Sequence, residues 1–284
     1  MSQFALLTLH PTGHAARRLL SEASELRLEV ETLNPFEQKI SWPLDGQRKF
    51  TKTLNRISSV EGSEYLSTLM RLPLWGRQYN PWSLREALWD KSRQAIWLSE
   101  HQLPSVPFFA GRGPIRADEA NWREFAKAHQ QESGWVLKMN RGQRGVGVHF
   151  IASTNELMEW LETFWRLSDQ DFIVQPHWQP LAEYRLTVLG NKVWAILQRS
   201  GTGKANFAQG GEASELSLKS APLEVQRVVE VLITLPADYL SIDLLQGPRG
   251  LVINDVNTTP GLEQLEAVTG RNFAQDLWKT LILG

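Results

Sequence analysis

Apolar and polar positions follow two periods along this chain, and the changes of period mark its elements. Residues 4–9 (FALLTL) are a short apolar run rich in strand formers, broken by Pro11, Thr12 and Gly13, and predict a buried strand. Over 15–28 the apolar residues Ala16, Leu19, Leu20, Ala23 and Leu26 fall on one helix face. Residues 28–33 alternate as a strand does and stop at Asn34-Pro35. Strand, helix and strand at this spacing make a parallel α/β unit. The stretch 39–81 is less regular, with a helical signal at 64–70 and turns at Pro73, Asn80 and Pro81. Ser83 with Glu86 three residues later reads as a capping box that opens a helix. That helix, or one closely following it, runs to about His101, and Pro104 and Pro107 then force extended chain.

The pattern changes in the second half. Helices are predicted over 118–131, 154–167, 222–235 and 273–283, and strands over 135–139, 148–152, 172–175, 184–189, 192–197, 240–245 and 250–256. Gly190-Asn191 and the stretch 247–250 are hairpin turns joining neighbouring strands. Antiparallel sheet with flanking helices thus follows a parallel unit, and at least two domains are expected.

Composition narrows the class. Hydrophobic residues at 42% and charged residues at 21% are ordinary globular usage, so disorder is not expected. A net charge of -1 argues against a generic polyanion binder, and no nucleic acid is expected as partner. The chain has no cysteine, which excludes disulfides, thiolate metal sites and a cysteine nucleophile. It shows no basic segment leading into an apolar leader, and no apolar run near the roughly 18–20 residues that span a bilayer. A cytoplasmic protein without a membrane partner is expected. The twelve tryptophans are scattered, as core residues are.

Four constellations could carry chemistry. Lys138 ends a strand and leads into Gly142, Gly145 and Gly147 before the next strand. Glycines let backbone N–H groups approach phosphate oxygens and the lysine adds a fixed charge, although the same loop also suits a plain hairpin. It is neither a Walker A motif nor a dinucleotide fingerprint. Asp243, Asp255 and Asn257 are hard oxygen donors of the kind Mg²⁺ selects. Asp255 and Asn257 lie two apart on a strand, so they share a face, and a turn over 247–250 can bring Asp243 beside them. The alternative is a polar sheet edge. Gln175, Pro176, His177 and Trp178 close an apolar strand and could expose backbone groups to an adenine edge, or form a proline turn. Arg185, Arg199, Lys204 and Asn206 could neutralise a phosphate or carboxylate, or form solvated sheet surface.

In this order the pieces resemble the ATP-grasp superfamily, and within it the RimK-type glutamate ligases. The resemblance rests on 80–91 (NPWSLREALWDK) with 103–107, Lys138 and its loop, 182–185 (AEYR), Lys204-Ala205-Asn206, Gly210-Gly211 and 254–266 (NDVNTTPGLEQLE). It implies an α/β ATP-grasp fold with three parts: an N-terminal Rossmann-like pre-ATP-grasp domain (1–90), a small central domain (91–170) and a C-terminal antiparallel-sheet domain (171–284). ATP would sit between the last two. Lys138 and Lys91 would meet the phosphates with Gly142, Gly145 and Gly147. Gln175, Pro176, His177 and Trp178 would form the adenine hinge, and Glu183 would lie near the ribose. Asp243, Asp255 and Asn257 would hold one or two Mg²⁺ ions, with Mn²⁺ a substitute. Arg185, Lys204 and Asn206 would face the γ-phosphate and the acyl intermediate.

The implied activity is ATP-dependent carboxylate–amine ligation. Its partners would be ATP, an amino acid such as glutamate and a carboxylate acceptor (small molecule, peptide or protein tail), with room for a homo-oligomer. The stretch 201–211 would serve as a lid. Two departures stand out: the family usually has Glu where this chain has Asp255, and an acidic residue where it has Pro176. They favour the rival reading, a nucleotide-binding regulatory module with reduced catalysis.

Overall fold

The computed structural model describes residues 4–37, 49–58, 64–111, 119–129, 134–142, 147–167, 171–199 and 213–283. The N-terminal part of the chain contains β1 (Phe4–Leu7), α1 (His14–Glu25), β2 (Val30–Leu33), β3 (Lys52–Asn55), α2 (Glu64–Met70), β4 (Arg77–Tyr79) and α3 (Trp82–Ala87). Its sheet has the order β2-β1-β3-β4, all parallel. Strand β1 is apolar on both sides because both its faces are covered. Leu6 packs with Ala16 and Leu19 of α1, while Ala5 and Leu7 pack with Phe50, Met70 and Trp75 on the other side.

The next elements are α4 (Lys91–Glu100), β5 (Phe109–Gly111), α5 (Glu119–His129), β6 (Trp135–Met139), β7 (Val148–Ile151), α6 (Thr154–Leu167) and β8 (Phe172–Pro176). The four strands form an antiparallel sheet, β5-β8-β6-β7. One face carries Trp135, Leu137, Phe172 and Val174, buried against Trp122 and Ala126 of α5 and Leu157 and Leu161 of α6. The opposite face carries Val136, Lys138, Val148, Phe150, Ile173 and Gln175, as the alternation of side chains requires.

The chain continues with β9 (Ala182–Leu189), β10 (Lys192–Arg199), β11 (Ala213–Leu216), α7 (Leu223–Leu232), β12 (Tyr239–Gly247), β13 (Gly250–Asn257), α8 (Glu263–Thr269) and α9 (Phe273–Leu283). The strands form an antiparallel sheet of order β11-β10-β9-β12-β13. One face meets α7 and α4 through Leu186, Val188, Ile196, Ile242 and Leu244. The other is apolar at one end, where Leu189, Leu197 and Tyr239 join Leu6, Leu54, Phe273, Leu277 and Trp278 in a core shared with the first sheet. Toward its other end it bears Glu183, Arg185, Asp243 and Asp255.

Ser83 does not cap a helix. It lies inside α3, whose N-cap is Pro81, and no side chain caps that end. Glu86 is instead held by Ser67 Oγ at 2.5 Å and by Arg71. A separate α4 starts at Asp90, whose carboxylate accepts the Arg93 N–H at 2.9 Å. Strands β3, β4, β5 and β11 and helix α8 were not read from the sequence, being three to seven residues long with little periodicity. Among the described residues no helix is long and apolar enough to cross a membrane.

Candidate active site

The candidate site lies where the polar half of the C-terminal sheet meets the Lys138 face of the central sheet. A β-bulge sets its chemistry. From the turn, β12 and β13 pair in register through Leu244–Ile253, and continued register would place Asn254 opposite Asp243. Asn254 is instead the extra residue, so Asp255 faces Asp243 and Asn257 faces Ser241. Arg185 faces Asp243 from the other side and binds it with both arms, Nε at 2.7 Å and an Nη at 2.8 Å. Burial pulls the Arg185 pKa down, but Asp243, with Asp255 and Glu183, outweighs it and holds the guanidinium charged.

Two lysines reach this strand from elsewhere. Lys138, near the end of β6, donates to Asn254 Oδ1 at 2.9 Å. Lys91, at the start of α4, pairs with Asp255 Oδ1 at 3.1 Å. Burial, reinforced by Lys91 and opposed by Asp255, brings the Lys138 pKa down to about 7. Asn140 ties the two lysines' elements together. Its carbonyl accepts the Lys91 N–H at 3.0 Å, and its Oδ1 accepts Ser92 N–H and Oγ–H at 3.0 and 2.9 Å.

Gly147 closes the loop after β6 with φ of +72°, and a Cβ there would lie 2.4 Å from Met139 Cγ, so a side chain does not fit. Gly142 is half-buried beside Arg141, while Gly145, Lys204 and Asn206 lie outside the described residues, as does the stretch 201–211. Gln175 is buried on the face of the central sheet that carries Lys138. His177 donates its N–H to Gly134 O at 2.9 Å and sets its ring against Phe150 at 5.3 Å. Trp178 turns to the β12–β13 hairpin, under Arg249 at 4.2 Å and so close to Gly247 that a Cβ there would lie 2.5 Å from its Nε1. Pro176 ends β8 opposite Trp135, and because His177 N–H bonds Gly134 O the 176–135 pair is a non-hydrogen-bonded one, so the proline costs the β6–β8 ladder no donor. Glu183 pairs with the buried Arg199 at 3.2 Å, and burial pushes its pKa up against that partner.

Asp243, Asp255 and Asn257 form an all-oxygen set on one sheet face. Among the described residues no three His, Cys, Asp or Glu side chains cluster to hold a metal, so the set is two carboxylates and an amide oxygen. Asn257 Oδ1 accepts the Thr259 N–H at 2.8 Å. Both carboxylates keep lone pairs beyond those that Lys91 and Arg185 use, and the donor type fits Mg²⁺. Asn140 and Asn254 escaped the sequence reading. Each is an amide at the end or bulge of an apolar strand, which is the signal that could have found them.

A three-sheet fold with two lysines converging on Asn254 and Asp255 of one strand is that of an ATP-grasp protein. The RimK-like ATP-grasp domain matches residues 112–281, more than half of the chain, and the chain belongs to that family. Among curated proteins it is 26% identical to the probable alpha-L-glutamate ligase 1 of Shewanella amazonensis, covering 96% of this chain and 92% of that one. The probable alpha-L-glutamate ligase of Histophilus somni is 32% identical over 51% of this chain and 49% of its own. The RimK domain ATP-grasp protein of Sphaerobacter thermophilus shares the fold with a TM-score of 0.73 at 15% identity, over 98% of this chain and 99% of that one. D-cycloserine synthetase DcsG does so with a TM-score of 0.72 at 17% identity, over 98% of each.

Proposed function

We propose that this protein is an ATP- and Mg²⁺-dependent ligase that joins an amino acid to a carboxylate acceptor through an acyl phosphate, releasing ADP. The observation that carries the reading is the convergence of Lys138 and Lys91 on Asn254 and Asp255, beside the Asp243–Arg185 pair. A free carboxylate is a poor acylating agent because its oxide leaves badly. Attack of its oxygen on the γ-phosphorus breaks the bond to ADP and turns that oxide into the bridging oxygen of a mixed carboxylic–phosphoric anhydride. The amine nitrogen then attacks the acyl carbon, the C–O bond breaks, phosphate leaves and the nitrogen loses a proton.

The protein's share is positioning and charge neutralisation. Lys138 and Lys91 are poised for the phosphates, with Gly142, Gly145 and Gly147 allowing close backbone approach. Asp243, Asp255 and Asn257 would hold Mg²⁺, which supplies further neutralisation of the phosphate oxygens. Arg185, with Lys204 and Asn206, would face the γ-phosphate and the acyl group. Residues 175–178 supply the adenine hinge and Glu183 the ribose contact. In this division, 1–90 serves the acceptor, and 91–170 and 171–284 grip the nucleotide. The relatives named as glutamate ligases favour glutamate as the added amino acid.

The test is ADP release by the purified chain with Mg²⁺, ATP and a panel of amino acids and carboxylates, with mass spectrometry of the product. Lys138→Ala and Asn257→Ala each abolish ADP release while the fold is kept. Full activity in a well-folded Asn257→Ala variant would sink the metal assignment. ATP binding without ADP release across a broad panel would favour the regulatory module, the reading supported by the ion pairs that already neutralise Asp243 and Asp255.

A further inference from the structure

The C-terminal ends of the parallel strands β1 and β3 meet the loop that follows β13, and three side chains there hold donors without acceptors. Asn55 is wholly buried; its Oδ1 accepts the Ile57 N–H at 3.0 Å, but its Nδ2 has no partner. Arg85 is 5% exposed and donates to the carbonyls of Asn55, at 3.2 Å, and Ile57, leaving Nε without a partner. Arg56 donates one arm to Pro260 O at 2.8 Å and leaves its other, buried arm without one. Both guanidiniums therefore meet backbone carbonyls, and among the described residues neither meets a carboxylate.

Two neighbouring cations taken out of water without a counter-charge are costly. Burial pulls the Arg85 pKa down to about 10, with Tyr239 opposing and Arg56 adding to the fall. The buried amide adds a third unused donor at the same strand end. The C-terminal edge of a parallel sheet is also where α/β folds bind ligands.

We propose that Asn55, Arg56 and Arg85 form an anion site that takes a carboxylate group of the substrate. Guanidinium forks match a carboxylate in shape and charge. The site's place in the reaction rests on the ligase reading. Pro260 lies three residues after Asn257, so a carboxylate held here would sit against the loop that leads from the candidate metal ligands. The ligand class is a compound with a carboxylate besides the reacting group, such as a dicarboxylic acid or an amino acid.

The test uses the full chain without nucleotide and three probes: glutarate, its neutral diamide glutaramide, and inorganic phosphate. Calorimetry and thermal melting should show glutarate binding and stabilising the protein while glutaramide does neither. Arg56→Gln should weaken glutarate binding by about tenfold or more without lowering the melting temperature of the ligand-free protein, since it removes an uncompensated cation. Arg85→Lys keeps the charge but loses the fork, should weaken binding in the same direction, and serves if the first variant misfolds. The proposal is overturned if wild type does not bind glutarate, if glutaramide binds equally, if Arg56→Gln binds as wild type does, or if phosphate alone is held through these residues. None of these readings needs turnover. A chain that binds glutarate here but never releases ADP keeps the site and loses the ligase reading. One that releases ADP with an unchanged substrate KM in Arg56→Gln keeps the reaction and loses the site.

Discussion

The two ends of this chain share one core, while the middle carries its own. Trp278, Leu277 and Phe273 of α9 lie against Leu6 and Leu54 of the N-terminal sheet and Leu197 and Tyr239 of the C-terminal sheet. Polar ties reinforce that union. Asn80, wholly buried, donates to Tyr239 O at 2.7 Å and accepts the N–H groups of Asp238 and Tyr239, and Lys52 caps the last carbonyls of α9. The sheet of β5 to β8 instead buries Trp122, Trp135 and Leu157 among themselves. It reaches the C-terminal sheet through directed polar contacts, Lys138 to Asn254 and Asn140 to the start of α4. An apolar weld resists relative movement, whereas a few hydrogen bonds beside a cleft can be exchanged for those of a ligand. The site sits on the second kind of boundary.

Mutation of the two cores should separate these regions most sharply. Trp278→Ala empties a fully buried position and loses the indole bond to Leu19 O, costing about 3–5 kcal/mol. In urea, amide protection in β1 and β12 should fall together. Separate transitions for the two sheets would break the idea of a shared core. Trp122→Ala should cost a similar amount, about 3–5 kcal/mol, but hydrogen exchange should rise in β5 to β8 and leave β9 to β13 protected.

A smaller effect is expected from pH. Lys138, brought down to about 7 from 10.5 by burial, binds its proton less well folded than unfolded. Between those values the unfolded chain holds more protons, so stability rises with pH, by at most about 1.4 kcal/mol per unit. Denaturant titrations of the ligand-free protein at pH 7, 8 and 9 should show this rise in wild type and lose it in Lys138→Met. Asn140→Ala should have the smallest effect on the fold, about 1–2 kcal/mol, because it leaves Ser92 without its acceptor. Its clearer sign should be weaker ATP affinity, as the first turn of α4, which carries Lys91, keeps only its main-chain bond to Asn140 O and loses the side-chain tie through Ser92; unchanged affinity would show the tie to be structural.

Legibility followed the range of the forces involved. The long helices and the hairpin strands were readable because their apolar positions repeat locally, and α6 was bounded to the residue. Strands such as β4, with Arg77, Gln78 and Tyr79, carry no such repeat and exist because β3 offers them a ladder. The capping box at Ser83 failed for a related reason. Pro81 and Asn80 position that helix from outside, and Glu86 answers to Ser67 and Arg71 in another element. At the site, residue types and their order were readable, but the partners Asn140 and Asn254 were not.

By itself the sequence determined the family, the alternation of elements and the presence of two aspartates and an asparagine on strands joined by a turn. Those properties depend on neighbours along the chain. The tertiary structure decided that Asp255 faces Asp243, because a register continued from the turn would have set Asn254 there and pointed Asp255 into the apolar face. It also decided that Lys91 and Lys138 meet that strand, and that Arg56 and Arg85 lie together with no carboxylate partner among the described residues. Such outcomes rest on hydrogen-bond register and on packing between residues far apart in sequence, which no local pattern encodes.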